Sequence, residues 1–175
     1  MKALVTGGVR SGKSAHAEGL LRAEPAVLYV APGPTAAQDP DPDWAARLAA
    51  HRARRPAHWT TCETRDLASA VRDAQGAVLV DCLGTWLSAL VDQIGWDAGR
   101  EVLEQRVGAA LDDLVDALAQ ARGSVVLVTN EVGLGVVPEH RSGRIFADLL
   151  GAVNQRVAAV CDEVLLVVAG RALRL

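Results

Sequence analysis

Aromatic side chains are scarce in this chain: one tyrosine, one phenylalanine and four tryptophans, 3% of 175 residues. Half the residues are hydrophobic, so the core must be built mostly from Ala, Val and Leu. A stacking platform for single-stranded nucleic acid needs exposed aromatics, and Trp59 and Trp86 read as packing residues instead. An excess of positive charge is also missing. The net charge is −3, which removes any general attraction for nucleic acid and excludes it as an expected partner. Lysine is rare: sixteen of eighteen cations are arginine, and Lys13 is one of the two lysines. Three cysteines, Cys62, Cys82 and Cys161, stand far apart and match no metal or redox spacing; they read as small buried apolar residues in a reducing compartment. No apolar run reaches bilayer length and no signal-peptide pattern is visible, so a soluble, cytoplasmic protein without a transmembrane segment is expected. The length suits one domain over 1–175.

What is present is concentrated at the start. Ala3-Leu-Val-Thr-Gly7-Gly8-Val9-Arg10-Ser11-Gly12-Lys13-Ser14 runs an apolar strand into a glycine loop and then into a helix. Gly7, Gly12, Lys13 and Ser14 fill the fixed positions of a G-x-x-x-x-G-K-[ST] phosphate loop. Glycines let successive backbone N–H groups turn inward around a phosphate, and the following helix adds its positive dipole end. Lys13 can reach the β- and γ-phosphates, and the Ser14 hydroxyl can ligate Mg²⁺. The sequence predicts a nucleoside triphosphate site.

Apolar runs recur at Ala3–Thr6, Ala26–Ala31, Ala77–Val80, Val125–Thr129 and Val164–Ala169. They lack polar alternation, which suits strands buried on both faces of a parallel sheet. Helical patterns lie between them: Lys13–Ala23 after the loop, Leu103-Val107-Leu111-Leu114-Leu118 on one face, and Ile145-Leu149-Val153-Val157-Val160 in a last long helix. Alternation of strand and helix predicts a three-layer α/β fold with a mostly parallel sheet, in which ligands bind beyond the strands' carboxyl ends. Residues 32–42 carry four prolines and break the rhythm, as a linker or as a cover for the nucleotide. A helical stretch from Asp43, a plausible N-cap, to Arg55 follows and stops at Pro56.

A phosphate loop needs a partner carboxylate for Mg²⁺. Asp81 closes one apolar strand and leads; Glu131 follows another and is the rival. Arg47, His51 and Arg54 share one helical face, with Arg55 at its margin. A histidine among arginines suits phosphate chemistry, but the same spacing also describes a solvated basic helix.

The phosphate loop, Ala45 to Glu63 with His51-Arg-Ala-Arg-Arg-Pro-Ala-His-Trp59, Val80-Asp-Cys-Leu83, Val128-Thr-Asn-Glu-Val-Gly-Leu-Gly-Val-Val-Pro-Glu139 and Gly151-Ala-Val-Asn-Gln155 appear in order along the chain. Together they resemble the bifunctional adenosylcobinamide kinase/adenosylcobinamide-phosphate guanylyltransferases of cobalamin biosynthesis. The resemblance implies a RecA-like P-loop fold and two reactions. ATP or GTP phosphorylates adenosylcobinamide; GTP then transfers GMP to adenosylcobinamide-phosphate through a covalent histidine. It places the nucleophile at His51 and nucleotide contacts at Gly7, Gly8, Val9, Arg10, Ser11, Gly12, Lys13 and Ser14. Further contacts fall at Ala31, Pro32, Gly33, Arg52, Ala53, Arg54, Arg55, Glu63 and Asp81. It also implies a homotrimer, while the phosphate loop itself places Mg²⁺ at Ser14 and Asp81. Pro32-Gly33-Pro34, Gly84 and Thr85 depart from the usual family pattern. A single-activity small-molecule kinase, with His51 incidental, and a non-enzymatic nucleotide switch are the other readings of the phosphate loop.

Overall fold

Side chains alternate along a strand, so an apolar run without polar positions builds two cores at once. The computed structural model describes residues 1–175. Its elements are β1 (Lys2–Thr6), α1 (Lys13–Leu20), β2 (Val27–Val30), α2 (Pro42–Arg54), β3 (Thr60–Cys62), α3 (Leu67–Asp73), β4 (Ala77–Asp81), α4 (Leu83–Ile94), α5 (Arg100–Gln120), β5 (Val125–Val128), α6 (Arg141–Ala158), β6 (Glu163–Val168) and β7 (Arg171–Arg174). They form one seven-stranded sheet in the order β3-β2-β4-β5-β1-β6-β7. Every pairing is parallel except β6 with β7. This is the three-layer α/β architecture expected from the alternating patterns.

The strands show the two-faced logic directly. Leu4, Val78, Val80, Val125 and Leu127 join helices α3 to α6 in the larger core. Their neighbours Ala3, Val5, Ala77, Leu79, Val126 and Val128 join Ala17 and Leu21 on the α1 side. Each fully buried Val or Leu contributes about 1.5–3 kcal/mol by leaving water, so the sheet is anchored from both sides. Trp86, packed in the larger core, donates its indole N–H to the Arg65 carbonyl at 3.0 Å. Trp59 is buried on the opposite side, so both serve as packing residues.

Several local expectations shift. The first helix ends at Leu20 rather than Ala23, and Val160 lies beyond α6. Asp41, not Asp43, caps α2: its carboxylate accepts the Asp43 N–H at 2.9 Å, with Pro42 at the first helical position. The three cysteines are free and half-buried rather than buried, and Cys82 stands beside the site residue Asp81. Strands β3 and β7 and helices α3 and α4 were not among the expected elements. None of the helices is long and apolar enough to cross a membrane.

Helix α2 is the outlier. None of its residues is fully buried, though Trp44 and Leu48 are half-buried. It is also fastened by polar contacts. Trp44 donates to the Pro34 carbonyl at 2.9 Å, and Arg54 makes a two-pronged contact with Glu18 of α1 at 3.1 and 3.2 Å. Its contacts through His51 and through Arg52, paired with Glu63, belong to the site.

Candidate active site

The loop between β1 and α1 crosses the carboxyl edge of the sheet. Gly7 is required there by space: a Cβ would lie 2.6 Å from Ser11 Oγ and 2.5 Å from the Val167 carbonyl. Gly12 takes a left-handed φ of 94° and a Cβ would press on Gly170, so it too resists a side chain. Lys13 is buried, and its Nζ donates to the Gly8 carbonyl at 3.1 Å. Burial lowers its pKa below the ordinary lysine value, while Cys82 and Asp81 act the other way. Ser11 Oγ is buried without a protein partner. A cradle with an orphaned hydroxyl and a buried ammonium fits an anionic ligand.

Two strands away in the sheet, β4 ends at Asp81, with β5 between it and β1. The Asp81 carboxylate gathers two partners, with Ser14 beside them. Tyr29 donates its hydroxyl to Oδ2 at 3.0 Å and His51 Nδ1 lies 3.3 Å from the same oxygen, while the Ser14 hydroxyl is near enough to favour the charged carboxylate. Burial would raise the Asp81 pKa, but hydrogen bonds and charge from His51, with Ser14 and Tyr29, hold it below the ordinary carboxylate value. Tyr29 is displaced far upward, first by burial and then by the Asp81 charge, so it stays a neutral phenol. Glu131 is occupied elsewhere: its Oε1 accepts the Gly133 N–H at 2.6 Å within its own turn.

His51 stands on the wall between two cavities. The first, about 740 Å³, is lined by Arg10, Ser11, Gly12, Lys13 and Ser14 together with Arg47, His51 and Arg54. The second, about 350 Å³, carries Val9, Ala31, Gly33, Arg52, Arg55, Glu63 and Asp81, again with His51. Both volumes fall in the range of small-ligand sites. Pro32 lines a more open recess with Ala31, Gly33 and Glu63. Gly7 and Gly8 shape the loop without lining either main cavity, and Ala53 is exposed on α2 away from both.

The arginines after His51 are more committed than their spacing suggested. Arg52 pairs with Glu63 at 2.7 Å and Arg54 with Glu18. Arg55 stacks 3.8 Å over the Tyr29 ring, donates to the His51 carbonyl at 3.1 Å and reaches Thr61 at 2.8 Å. Arg47 lines both cavities and makes no ion pair. Sequence reasoning missed Tyr29, Trp44 and Glu18. Tyr29 sits in an apolar run and looked like core; its being the only tyrosine of the chain was the available signal.

Comparison with known proteins identifies the family. Residues 3–175 match the family model described as cobinamide kinase / cobinamide phosphate guanyltransferase. The chain is 42% identical to the bifunctional adenosylcobalamin biosynthesis protein CobU of Salmonella typhimurium, covering 97% of each. Identity is also 42% to the Escherichia coli protein of that name, and 40% to CobP of Pseudomonas aeruginosa, covering 94% of the latter. Among solved structures, an ATPase from a bacterial type III secretion system aligns with TM-score 0.57 at 11% identity. That match covers 94% of this chain and 50% of the ATPase, so the chain spans about half that protein's length and shares its fold alone. With a full-length family match and relatives above 40% identity, the chain belongs to the cobinamide kinase / cobinamide phosphate guanylyltransferase family.

Proposed function

We propose that His51 is the residue that carries GMP between the two substrates of the transferase reaction. The chain is a bifunctional cobinamide kinase and cobinamide phosphate guanylyltransferase. Its first reaction passes the γ-phosphoryl group of ATP or GTP to the hydroxyl of adenosylcobinamide. The hydroxyl oxygen forms the new P–O bond, its proton is released and the nucleoside diphosphate leaves. In the second, an imidazole nitrogen of His51 attacks the α-phosphorus of GTP, forming a P–N bond as pyrophosphate departs. A phosphate oxygen of adenosylcobinamide-phosphate then attacks the same phosphorus, breaks the P–N bond and restores the free imidazole. One observation carries this reading: His51 stands on the shared wall of the phosphate-loop cavity and its neighbour, paired with a buried carboxylate.

The residues divide the work by position. Backbone N–H groups of Gly8 to Ser14, with Lys13, hold the triphosphate. Arg47 and Arg54 place positive charge on the phosphate-facing side of α2, and Gly33, Arg52, Arg55 and Glu63 receive the rest of the nucleotide. The Ser14 hydroxyl against Asp81 offers the hard oxygen donors Mg²⁺ prefers, one carboxylate and one hydroxyl, with phosphates completing the shell. When bound there, the ion would neutralise charge on the β- and γ-phosphates. The family resemblance further supports a cytoplasmic homotrimer in which residues 1–175 act as one domain.

The test is labelling with α-³²P-GTP. The wild-type protein is expected to acquire acid-labile, base-stable label, as a phosphoramidate should. His51→Ala is expected to lose that label and GMP transfer while retaining nucleotide binding and part of the kinase rate. Acid-labile label persisting in His51→Ala would move the nucleophile elsewhere, with His58 next. Kinase activity without any label in the wild type would favour a single-activity kinase.

A further inference from the structure

We propose that Tyr29 is a positioning residue for His51: its hydroxyl, shared with Asp81, fixes the imidazole so that Nδ1 carries the proton and Nε2 the free lone pair. The proposal rests on the reading of His51 as nucleophile, but its structural content stands apart from it. Three atoms form a closed triangle. Tyr29 Oη lies 3.0 Å from Asp81 Oδ2 and 3.4 Å from His51 Nδ1, and the last side, Asp81 Oδ2 to His51 Nδ1, is 3.3 Å.

Proton counting then assigns the tautomer. A phenol has one proton, and its shorter contact is to the carboxylate, which can only accept. Toward His51 the phenolic oxygen is therefore an acceptor as well. Two acceptors facing one ring nitrogen require that nitrogen to be protonated, which in the neutral imidazole leaves the lone pair on Nε2. Nε2 makes no hydrogen bond to the protein. A nucleophilic imidazole needs this division, with one nitrogen tethered and the other free.

The triangle is held in place from outside. Tyr29 is only 3% exposed, and strand β2 pairs with β4 so that Tyr29 lies in register with Leu79, two residues before Asp81. Arg55 covers the ring at 3.8 Å and donates to the His51 backbone carbonyl. One guanidinium thus links the main chain of the nucleophile to the ring that orients its side chain. Tyr29 borders the second cavity but is only 3% exposed and, as proposed, acts through His51 and Asp81.

Tyr29→Phe keeps the ring, its burial and the Arg55 contact, and removes only the hydroxyl. In single-turnover labelling with α-³²P-GTP, the rate of label formation is expected to fall on the order of tenfold to a hundredfold, the cost of a misplaced reacting group. The GTP dissociation constant is expected to stay within about twofold, because pairing of the imidazole and not nucleotide contact is lost. At one fixed pH, ¹⁵N spectra of the His51 ring should show Nδ1–H as the neutral tautomer in the wild type and a gain of Nε2–H in the variant. An unchanged labelling rate with an unchanged tautomer overturns the proposal, as does an Nε2–H tautomer in the wild type. Since Tyr29 is the only tyrosine, 3-fluorotyrosine incorporation gives a readout that needs no substitution at this position. Its ¹⁹F resonance should shift in His51→Ala, and no shift would contradict the contact. Absence of wild-type label would overturn the histidine–GMP reading alone, because the ring spectra still decide the role of Tyr29.

Discussion

Asp81 Oδ2 lies 3.3 Å from His51 Nδ1 with Ser14 of the phosphate loop beside the same carboxylate, so on the proposed reading one side chain serves both the metal side and the histidine. Substitution there should damage both reactions, unlike a change at His51. Asp81→Asn would place an amide donor opposite Nδ1 and favour the wrong tautomer, an effect that costs roughly two orders of magnitude or more in related histidine–carboxylate pairs. We expect label formation to fall by that much and the Mg²⁺ dependence of the kinase to weaken. Glu131→Gln should change either rate far less, since Glu131 is tied to Gly133 in its own turn. A Mg²⁺ titration of both variants checks this, and a larger loss in Glu131→Gln would reverse the assignment. The phosphate loop and Asp81 were legible from sequence because each is a short local pattern at a strand end. Tyr29 and Glu18 were not, because their contacts cross 52 and 36 residues and appear only once the strands are paired.

Helix α2 brings His51 to the site without a fully buried residue of its own, so its placement depends largely on a few polar fastenings. Glu18, itself buried, anchors the carboxyl half through Arg54, which is 40% exposed. Glu18→Gln should loosen α2 by about 1 kcal/mol, the upper value for a partly solvated pair. Hydrogen exchange of amides 42–54 is expected to quicken by roughly fivefold, with the α5 amides unchanged. Equal acceleration in both helices would mean that Glu18 supports the whole fold. The same contrast explains which elements sequence could reveal. Strands β1, β2, β4, β5 and β6 announce themselves because both faces are apolar. Strands β3 and β7 are short edge segments, Thr60-Thr-Cys62 and Arg171-Ala-Leu-Arg174, with nothing in their composition to mark them. The N-cap of α2 was misplaced because Asp41 and Asp43 both flank Pro42, and only the backbone decides which is outside the helix.

Across the molecule there is one phosphate loop for two reactions, and His51 shares its cavity. On the proposed reading the kinase nucleotide and the GTP that donates GMP take turns at that loop. A non-hydrolysable ATP analogue is expected to raise the apparent KM for GTP in label formation, by about tenfold at ten times its own Kd, with the maximal rate unchanged. A reduced maximal rate at constant KM would point to a second nucleotide site. The arrangement also gives the protein an optical signature. Of the four tryptophans, Trp59 and Trp86 are enclosed in the two cores and Trp96 is bonded to Asp92. Trp44 alone borders both cavities, its indole N–H on the Pro34 carbonyl. Filling either cavity changes the polarity around that one fluorophore while the other three keep their surroundings, so the emission spectrum can follow occupancy, and the order in which the two nucleotides come and go, in real time without an attached dye.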